Sequence, residues 1–269
     1  MEWYQIVGYL LGLLMGITLG LIGAGGSALT VPIMVFLFQL DATLATTYSL
    51  FIVGLTSLFG SFKQIKEKRI AWDFVLLFGI PSIFSIFVSR RYLLPAIPKD
   101  LFDLGTLTIT KDNLLLAVFS IVLMAASYSM IKKPKIETEV IEIKGEVNQF
   151  NLVLGGLIVG LVTGMLGAGG GFLIIPALVL WGKLPMKKAA ATSLMIITIN
   201  SILGFAFDEH GIRRIDWGHM FVFSIMAISG IFMGIKLSEK ISGEKLKPIF
   251  GWFILTMGAF ILVQQIIGM

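Results

Sequence analysis

The sequence predicts an all-α polytopic membrane protein that consists of two inverted structural repeats. Three observations predict this fold class: an apolar composition, a series of apolar runs of membrane-spanning length, and an internal repeat. Of the 269 residues, 57% are apolar and 14% are charged, whereas soluble domains contain roughly 45–50% apolar and about 25% charged residues. Both differences indicate a chain that is surrounded mainly by lipid.

The composition also excludes several classes of function. The chain has no cysteine and only two histidines, which excludes thiolate metal sites, disulfides and cysteine nucleophiles, so we predict no metal and no cofactor. The net charge is +5, but the basic residues lie in short loops between apolar runs. This pattern is typical of membrane topology, so we predict a lipid bilayer around the protein and no nucleic-acid partner.

The order of the transmembrane elements follows from the apolar runs. About 20 apolar residues cross about 30 Å of hydrocarbon, and the runs that approach this length predict eight long helices. These runs are 4–22, 44–62, 72–91, 113–131, 150–166, 188–207, 218–237 and 246–268. Two further runs, 28–39 and 172–182, are too short to cross and are predicted to be half-helices.

The chain contains an internal repeat with an offset of 144 residues. Residues 16–50 align with residues 160–194 without a gap, and 13 of these 35 positions are identical. One inserted residue later, Ile70-Ala71-Trp72 aligns with Ile215-Asp216-Trp217. We therefore predict a first membrane repeat at 1–135, a charged cytoplasmic linker at 136–147 and a second membrane repeat at 148–269.

Loop charge predicts how the repeats are oriented. If each short run is a re-entrant excursion, each repeat crosses four times and the Lys and Arg residues divide 11 to 10 between the two sides. If the first long run and the short run after it together return the chain to its starting side, 15 Lys and Arg residues lie on one side and 6 on the other. Only the second arrangement follows the positive-inside rule. It predicts inverted repeats in the cell (inner) membrane, with both termini outside the cytoplasm.

A glycine-rich turn occurs between a long and a short run in each copy. The first is Gly23-Ala24-Gly25-Gly26-Ser27, and the second is Gly167-Ala168-Gly169-Gly170-Gly171. Glycine tolerates positive φ, so these turns predict helices that are broken at membrane depth, where irregular backbone must be buried or must line a cavity. The half-helix that follows would direct its unpaired N–H groups and its positive dipole end at that cavity, which favours an anion site.

A second interpretation of the glycines is close helix packing. For the turns themselves both interpretations stay open at this point. Upstream, glycine recurs every fourth residue at Gly12, Gly16 and Gly20, and again at 156, 160 and 164. That spacing places small residues on one helix face, so here we predict packing.

Taken together, these motifs resemble a known family. The second copy has its glycine turn, then Pro176, then an Ala-x-x-Thr-Ser-Leu stretch at 189–194 and a Gly-x-x-x-Ile-Asp-Trp stretch at 211–217. The duplicated pattern resembles the sulfite exporter TauE/SafE family of membrane permeases over nearly the whole chain. The first copy departs from it at Ser27, Tyr48 and Ala71. The resemblance implies a secondary transporter, an exporter of a small anion such as sulfite, an organosulfonate or a related sulfur oxyanion.

Hydroxyl and amide groups that follow each half-helix suit an oxyanion that must also be released. Many such groups in membrane helices instead bond to their own backbone or to a neighbouring helix. The candidate substrate-binding residues are Gly23, Gly25, Gly26, Ser27, Thr47, Ser49, Gly167, Gly169, Gly170, Gly171, Thr192, Ser193 and Asn200. No basic side chain is predicted in the membrane core, and Arg90, Arg91, Arg213 and Arg214 are assigned to exposed surfaces.

Two other functions compete with the carrier. An anion channel would share the glycine turns and the repeat, and counterflow of labelled substrate would distinguish the two. An intramembrane hydrolase would use Ser27 as its nucleophile, but the two histidines are predicted near the membrane surface, away from it. A serine nucleophile needs a base within reach, which argues against the hydrolase.

Overall fold

A computed structural model describes residues 3–23, 25–103, 108–131, 148–238 and 243–267 of the chain. The helices of the first half are α1 (Trp3–Ile22), α2 (Ser27–Phe36), α3 (Ala42–Lys66), α4 (Trp72–Val88), α5 (Leu94–Ala96) and α6 (Lys111–Ile131). The helices of the second half are α7 (Gln149–Leu166), α8 (Gly171–Leu180), α9 (Met186–Ala206), α10 (Glu209–Ile212), α11 (Trp217–Ser238) and α12 (Gly243–Ile267). A π-helical turn, Ser89–Leu93, joins α4 to α5. The predicted linker at 136–147 lies outside the described residues.

Seven helices within the described residues are long and apolar enough to cross a membrane. They are α1, α3, α4 with its continuation to Ala96, α6, α7, α9 and α11. The prediction was eight; the remaining run lies in α12, whose described apolar stretch, Gly251–Gln265, is shorter. The predicted half-helices are α2 and α8, of 10 residues each. The chain is therefore a polytopic helical membrane protein.

The loop after α5 contains a small β-hairpin, which the sequence analysis does not predict. Strand β1 (Asp100–Asp103) pairs antiparallel with β2 (Thr108–Thr110), and Asp100 lies opposite Thr110. Strands of three and four residues are too short to show an alternating apolar pattern in the sequence. The hairpin leads directly into α6.

The glycines that recur every fourth residue are packing positions, as predicted. A side-chain carbon at Gly16 would lie 2.8 Å from the carbonyl carbon of Ala227 in α11. At Gly160, the corresponding carbon would lie 2.7 Å from the Cα atom of Ser82 in α4. Only a residue without a side chain lets the two backbones come this close. These glycines therefore position α1 and α7 rather than bind a ligand.

Helix packing joins equivalent parts of the two halves. Helix α1 packs along α11, and α7 packs along α4. Helix α3 packs along α9, and α6 packs along α12. If each helix is replaced by its equivalent in the other half, the same set of helix pairs results. The half-helices α2 and α8 pack on α3 and α9 and touch each other, so they lie in the centre of the protein.

Both half-helices end in the same way. The Leu40 N–H donates to the Met34 carbonyl, and the Leu184 N–H donates to the Leu178 carbonyl, each at 3.1 Å. The residue before each of these leucines, Gln39 or Lys183, adopts a left-handed conformation with φ of 54° or 52°. The chain then reverses into α3 or α9. The sequence repeat therefore extends to the conformation of the backbone.

Candidate functional site

The first glycine turn breaks the chain between α1 and α2. Gly23 ends α1 with φ of +82°, and its N–H donates to the Leu19 carbonyl at 2.8 Å. A side-chain carbon at Gly23 would lie 2.6 Å from the carbonyl oxygen of Ala190 in α9. The Ser193 hydroxyl donates to the Gly23 carbonyl at 2.9 Å. Glycine is thus required at position 23 by its φ and by the close approach of α9.

The second turn contains three left-handed glycines. Gly167, Gly169 and Gly170 have φ of +67°, +64° and +68°. Gly170 caps α8 in this left-handed conformation, whereas Gly26, which caps α2, has φ of −67°. Neither cap makes a side-chain hydrogen bond. Both half-helices therefore begin without the side-chain acceptor that usually satisfies first-turn N–H groups, which is the arrangement that suits an anion.

The surroundings of the second turn are polar. A side-chain carbon at Gly169 would lie 2.9 Å from the Ser201 hydroxyl, and one at Gly170 would collide with the Thr163 hydroxyl. Both hydroxyls are buried and lack a hydrogen-bond partner among the described residues, as do Ser49 Oγ, Thr30 Oγ1 and Asn200 Oδ1. Buried polar atoms usually have a partner. Hydroxyls of this kind beside the turn are the acceptors and donors that a bound polar ligand would use.

The predicted hydroxyl and amide residues are all fully buried, but they lie in different places. Ser193 contacts the first turn, as described above. The Thr192 hydroxyl accepts a hydrogen bond from the Ala71 N–H at 3.0 Å, at the start of α4. Asn200 donates to the Ser82 hydroxyl at 2.7 Å. Thr47 donates to Asp208 at 2.6 Å. The structure thus brings Ser193 to the first glycine turn, whereas Thr192 and Asn200 contact α4 and Thr47 contacts the residue that precedes α10.

A cavity of about 270 Å³ reaches the first glycine turn. Its wall includes Gly23, Ala190 and two basic residues, Arg69 and Lys187. Gln64 also lines it, and the Gln64 Oε1 atom is buried without a partner among the described residues. Basic side chains at the mouth of a cavity attract anions and raise their local concentration.

A second cavity, of about 220 Å³, lies at the opposite end of α1 and includes Gln5, Tyr48, Asp216 and His219. The His219 Nδ1 atom lies 2.9 Å from the Asp216 carboxylate. Hydrogen bonds from His219 hold the pKa of the Asp216 carboxyl below its usual value. The backbone N–H of Asp216 donates to the Tyr48 hydroxyl at 2.6 Å.

The assignment of Arg90 to an exposed surface is wrong. Its side chain is 0% exposed, and its Nη1 atom lies 2.8 Å from Asp208 Oδ2. The apolar run continues into the π-helical turn, which carries Arg90 inward between the helices. The neighbouring residue fits the prediction: Arg91 is 43% exposed and pairs with Glu209 at 2.7 Å. A basic side chain is therefore enclosed in the membrane domain, contrary to the sequence-based expectation.

Sequence reasoning missed Arg90, Asp208 and Thr163 as candidate functional residues. One signal for Asp208 was present, since it lies 144 residues after Gln64, which is the offset of the repeat. The signal for Arg90 was weaker, because an arginine at the end of an apolar run is usually a surface residue. Thr163 gave no signal, because the repeat has Leu19 at that position.

Comparison with known proteins agrees with a membrane transporter. The family model described as Sulfite exporter TauE/SafE matches residues 8–261. A protein of Methanocaldococcus jannaschii named as a probable membrane transporter is 31% identical over 271 residues, with 94% of each chain covered. A Bacillus subtilis protein with the same description is 27% identical over 260 residues, with 86% of each chain covered.

A third relative, from Xylella fastidiosa, is also named as a probable membrane transporter and is 23% identical over 256 residues, which cover 93% of this chain and 92% of the relative. No solved structure matches the chain. The family and these relatives are described as transporters and not as enzymes, so the hydrolase interpretation is set aside. Because the family model covers most of its length, the chain belongs to the sulfite exporter TauE/SafE family of membrane transporters.

Proposed function

We propose that the chain is a secondary carrier that exports a small anion: sulfite, an organosulfonate or a related sulfur oxyanion. The observation that carries the proposal is the pair of glycine turns. Each turn interrupts a membrane helix and starts a buried half-helix that has no side-chain cap. Helix starts of this kind bind anions through backbone N–H groups and the helix dipole. The family description, which names sulfite export, supports the substrate class.

In this proposal, the anion lies near the middle of the membrane between the two turns. Its ligands are the backbone N–H groups of residues 25–27 and 168–171, because the N–H groups of Gly23 and Gly167 already donate to the Leu19 and Thr163 carbonyls. Among the predicted side chains, Ser193 is supported best because its hydroxyl contacts Gly23. Ser201 and Thr163 join the proposed site because they border Gly169 and Gly170.

The cavity of about 270 Å³ is the proposed route between the first turn and the cytoplasm. Its basic residues Arg69 and Lys187 belong to the 15 Lys and Arg residues that the loop-charge pattern places on the cytoplasmic side. This sidedness requires inverted repeats, with both termini outside the cytoplasm. The exchange of helix pairs between the halves fits a pseudo-two-fold axis, which in this topology lies in the membrane plane.

The test is counterflow in liposomes that contain the purified full-length chain. Liposomes are loaded with unlabelled sulfite and diluted into a trace of labelled sulfite, and liposomes without protein serve as the control. A carrier transiently accumulates label above its equilibrium level. A channel equilibrates the label without an overshoot. That result would favour an anion channel over a carrier. Failure to move or bind sulfite and small sulfonates would overturn the proposed substrate class.

A further inference from the structure

The enclosed ion pair between Arg90 and Asp208 uses only part of the Arg90 guanidinium. The Asp208 carboxylate is fully engaged: Oδ2 accepts from Arg90 Nη1 at 2.8 Å and from the Thr47 hydroxyl at 2.6 Å, and Oδ1 accepts from the Gly211 N–H at 3.1 Å. The other side of the guanidinium is not engaged. Arg90 Nε and Nη2 are both buried and have no hydrogen-bond partner among the described residues.

The two free nitrogens form one edge of a planar group. Nε–H and the adjacent Nη2–H are parallel donors whose spacing matches two oxygens of an oxyanion. The preceding hydroxyl, Ser89 Oγ, is also buried without a partner among the described residues. A pair whose role was only to hold helices together would be expected to satisfy more of these donors, because buried donors are rarely left unpaired. The free edge therefore indicates a ligand.

The position of Arg90 connects this edge to the second glycine turn. Its π-helical turn packs against α7, the helix that ends at Gly167. Ser89 occupies the space beside Gly164, where a side-chain carbon would lie 2.9 Å from Ser89 Oγ. On the other side, Thr47 binds Asp208 while its neighbour Thr46 abuts Gly167. A π-helical turn inside a helix is also a frequent feature of functional sites.

We propose that the Nε–Nη2 edge of Arg90 is the cationic part of the anion site at the second glycine turn, and that it selects oxyanions with two available oxygens over monatomic anions. The inference rests on the proposed transport of an anion. Asp208 holds Nη1 and fixes the plane of the guanidinium. Since the Arg90 side chain is 0% exposed, the structure shows this edge enclosed. An anion reaches it when the helices around the pair separate during transport.

The first experiment measures binding of sulfite and of bromide to the purified full-length chain and to Arg90→Lys. Lysine keeps the charge and can still pair with Asp208, but it lacks the two-donor edge. We expect sulfite affinity to fall about tenfold or more while bromide affinity changes less, so that selectivity is reduced. Arg91→Gln is the matched control, because Arg91 pairs with Glu209 at the exposed surface. Unchanged selectivity in Arg90→Lys would overturn the proposal.

The second experiment uses Asp208→Asn, which removes the competing carboxylate and leaves Arg90 in place. If Arg90 binds the anion, sulfite affinity should rise about threefold or more, since the positive charge is no longer neutralised. If the pair only holds the helices together, the affinity should fall or stay constant, which would contradict the proposal.

The double variant Arg90→Gln with Asp208→Asn leaves no charge unpaired and should bind sulfite weakly. Wild-type affinity in the double variant would also overturn the proposal. Absence of sulfite binding by the unmodified chain would instead refute the proposed function.

Discussion

The two glycine turns arise from one repeated sequence, yet the residue packed against each turn differs in exposure: Ala190, beside Gly23, is half-buried, whereas Thr46, beside Gly167, is buried. Gly23 lies in the wall of a cavity of about 270 Å³, together with Gln64. The position 144 residues after Gln64 is Asp208, which is bound to Arg90 and Thr47. Gln64 therefore lines a cavity, whereas its counterpart Asp208 is taken up by an ion pair and a hydrogen bond with residues of the first half. The comparison shows that two copies of one sequence pattern can surround their glycine turns with different side chains.

The largest expected effect comes from removing the buried positive charge that pairs with Asp208. Arg90→Leu should lower the free energy of unfolding by about 3–5 kcal/mol, because it leaves the buried Asp208 carboxylate without its cation. Chemical unfolding of the purified protein in detergent micelles would measure the loss. Gln64→Leu, at the position of the first half that corresponds to Asp208, should cost less because no charge is left unpaired. Equal losses in the two variants would show that the ion pair does not distinguish the halves.

The next effect concerns the left-handed glycines of the second turn. Gly169→Leu would impose about 1–2 kcal/mol of backbone strain at φ of +64°. Its side chain would also press against Val53, 2.7 Å from the added carbon. We expect transport in liposomes to be lost while the protein still inserts into the membrane. Gly79→Leu is the matched control, because a carbon added there meets nothing within 4 Å. Normal transport by Gly169→Leu would favour a packing role for the turn.

Access to the two turns can be compared with single cysteines, since the chain has none of its own. Ala190→Cys lies in the cavity wall beside Gly23, and Thr46→Cys lies at the corresponding place against Gly167. A water-soluble thiol reagent should label Ala190→Cys about tenfold faster or more, the factor produced by an opening free energy of about 1.4 kcal/mol. The labelling should occur from the cytoplasmic side. Equal rates would mean that both turns are open to the same extent.

The smallest effect concerns a feature that the two halves share. The Tyr48 hydroxyl accepts a hydrogen bond from the Asp216 N–H, and the Thr192 hydroxyl accepts one from the Ala71 N–H. Each hydroxyl therefore binds the residue that precedes a helix of the other half. Tyr48→Phe and Thr192→Val should each lower stability by about 0.5–1.5 kcal/mol through the loss of one hydrogen bond. Thermal unfolding of the two variants would measure this. A Thr192→Val variant with unchanged stability but weakened sulfite binding would instead make Thr192 a direct ligand.

Much of the fold could be predicted because membrane helices are defined locally. The lengths of the apolar runs gave helix positions within a few residues, and the glycine clusters marked the breaks before α2 and α8. Ser193 was predicted as a site residue and does contact Gly23. The hairpin after α5 was missed because its short strands pair through backbone atoms, which leave no pattern in the sequence.

The sequence by itself determined that the chain is a helical membrane protein with a duplicated, twice-broken core, because composition, run length and glycine spacing act over a few turns of helix. Only the tertiary structure decided that Arg90 is enclosed and bound to Asp208, 118 residues away along the chain. The cavity at Gly23 and the close packing at Gly167 were also decided only by the tertiary structure. These outcomes depend on how helices from opposite halves meet, and a charge at the end of an apolar run becomes buried only when another helix covers it.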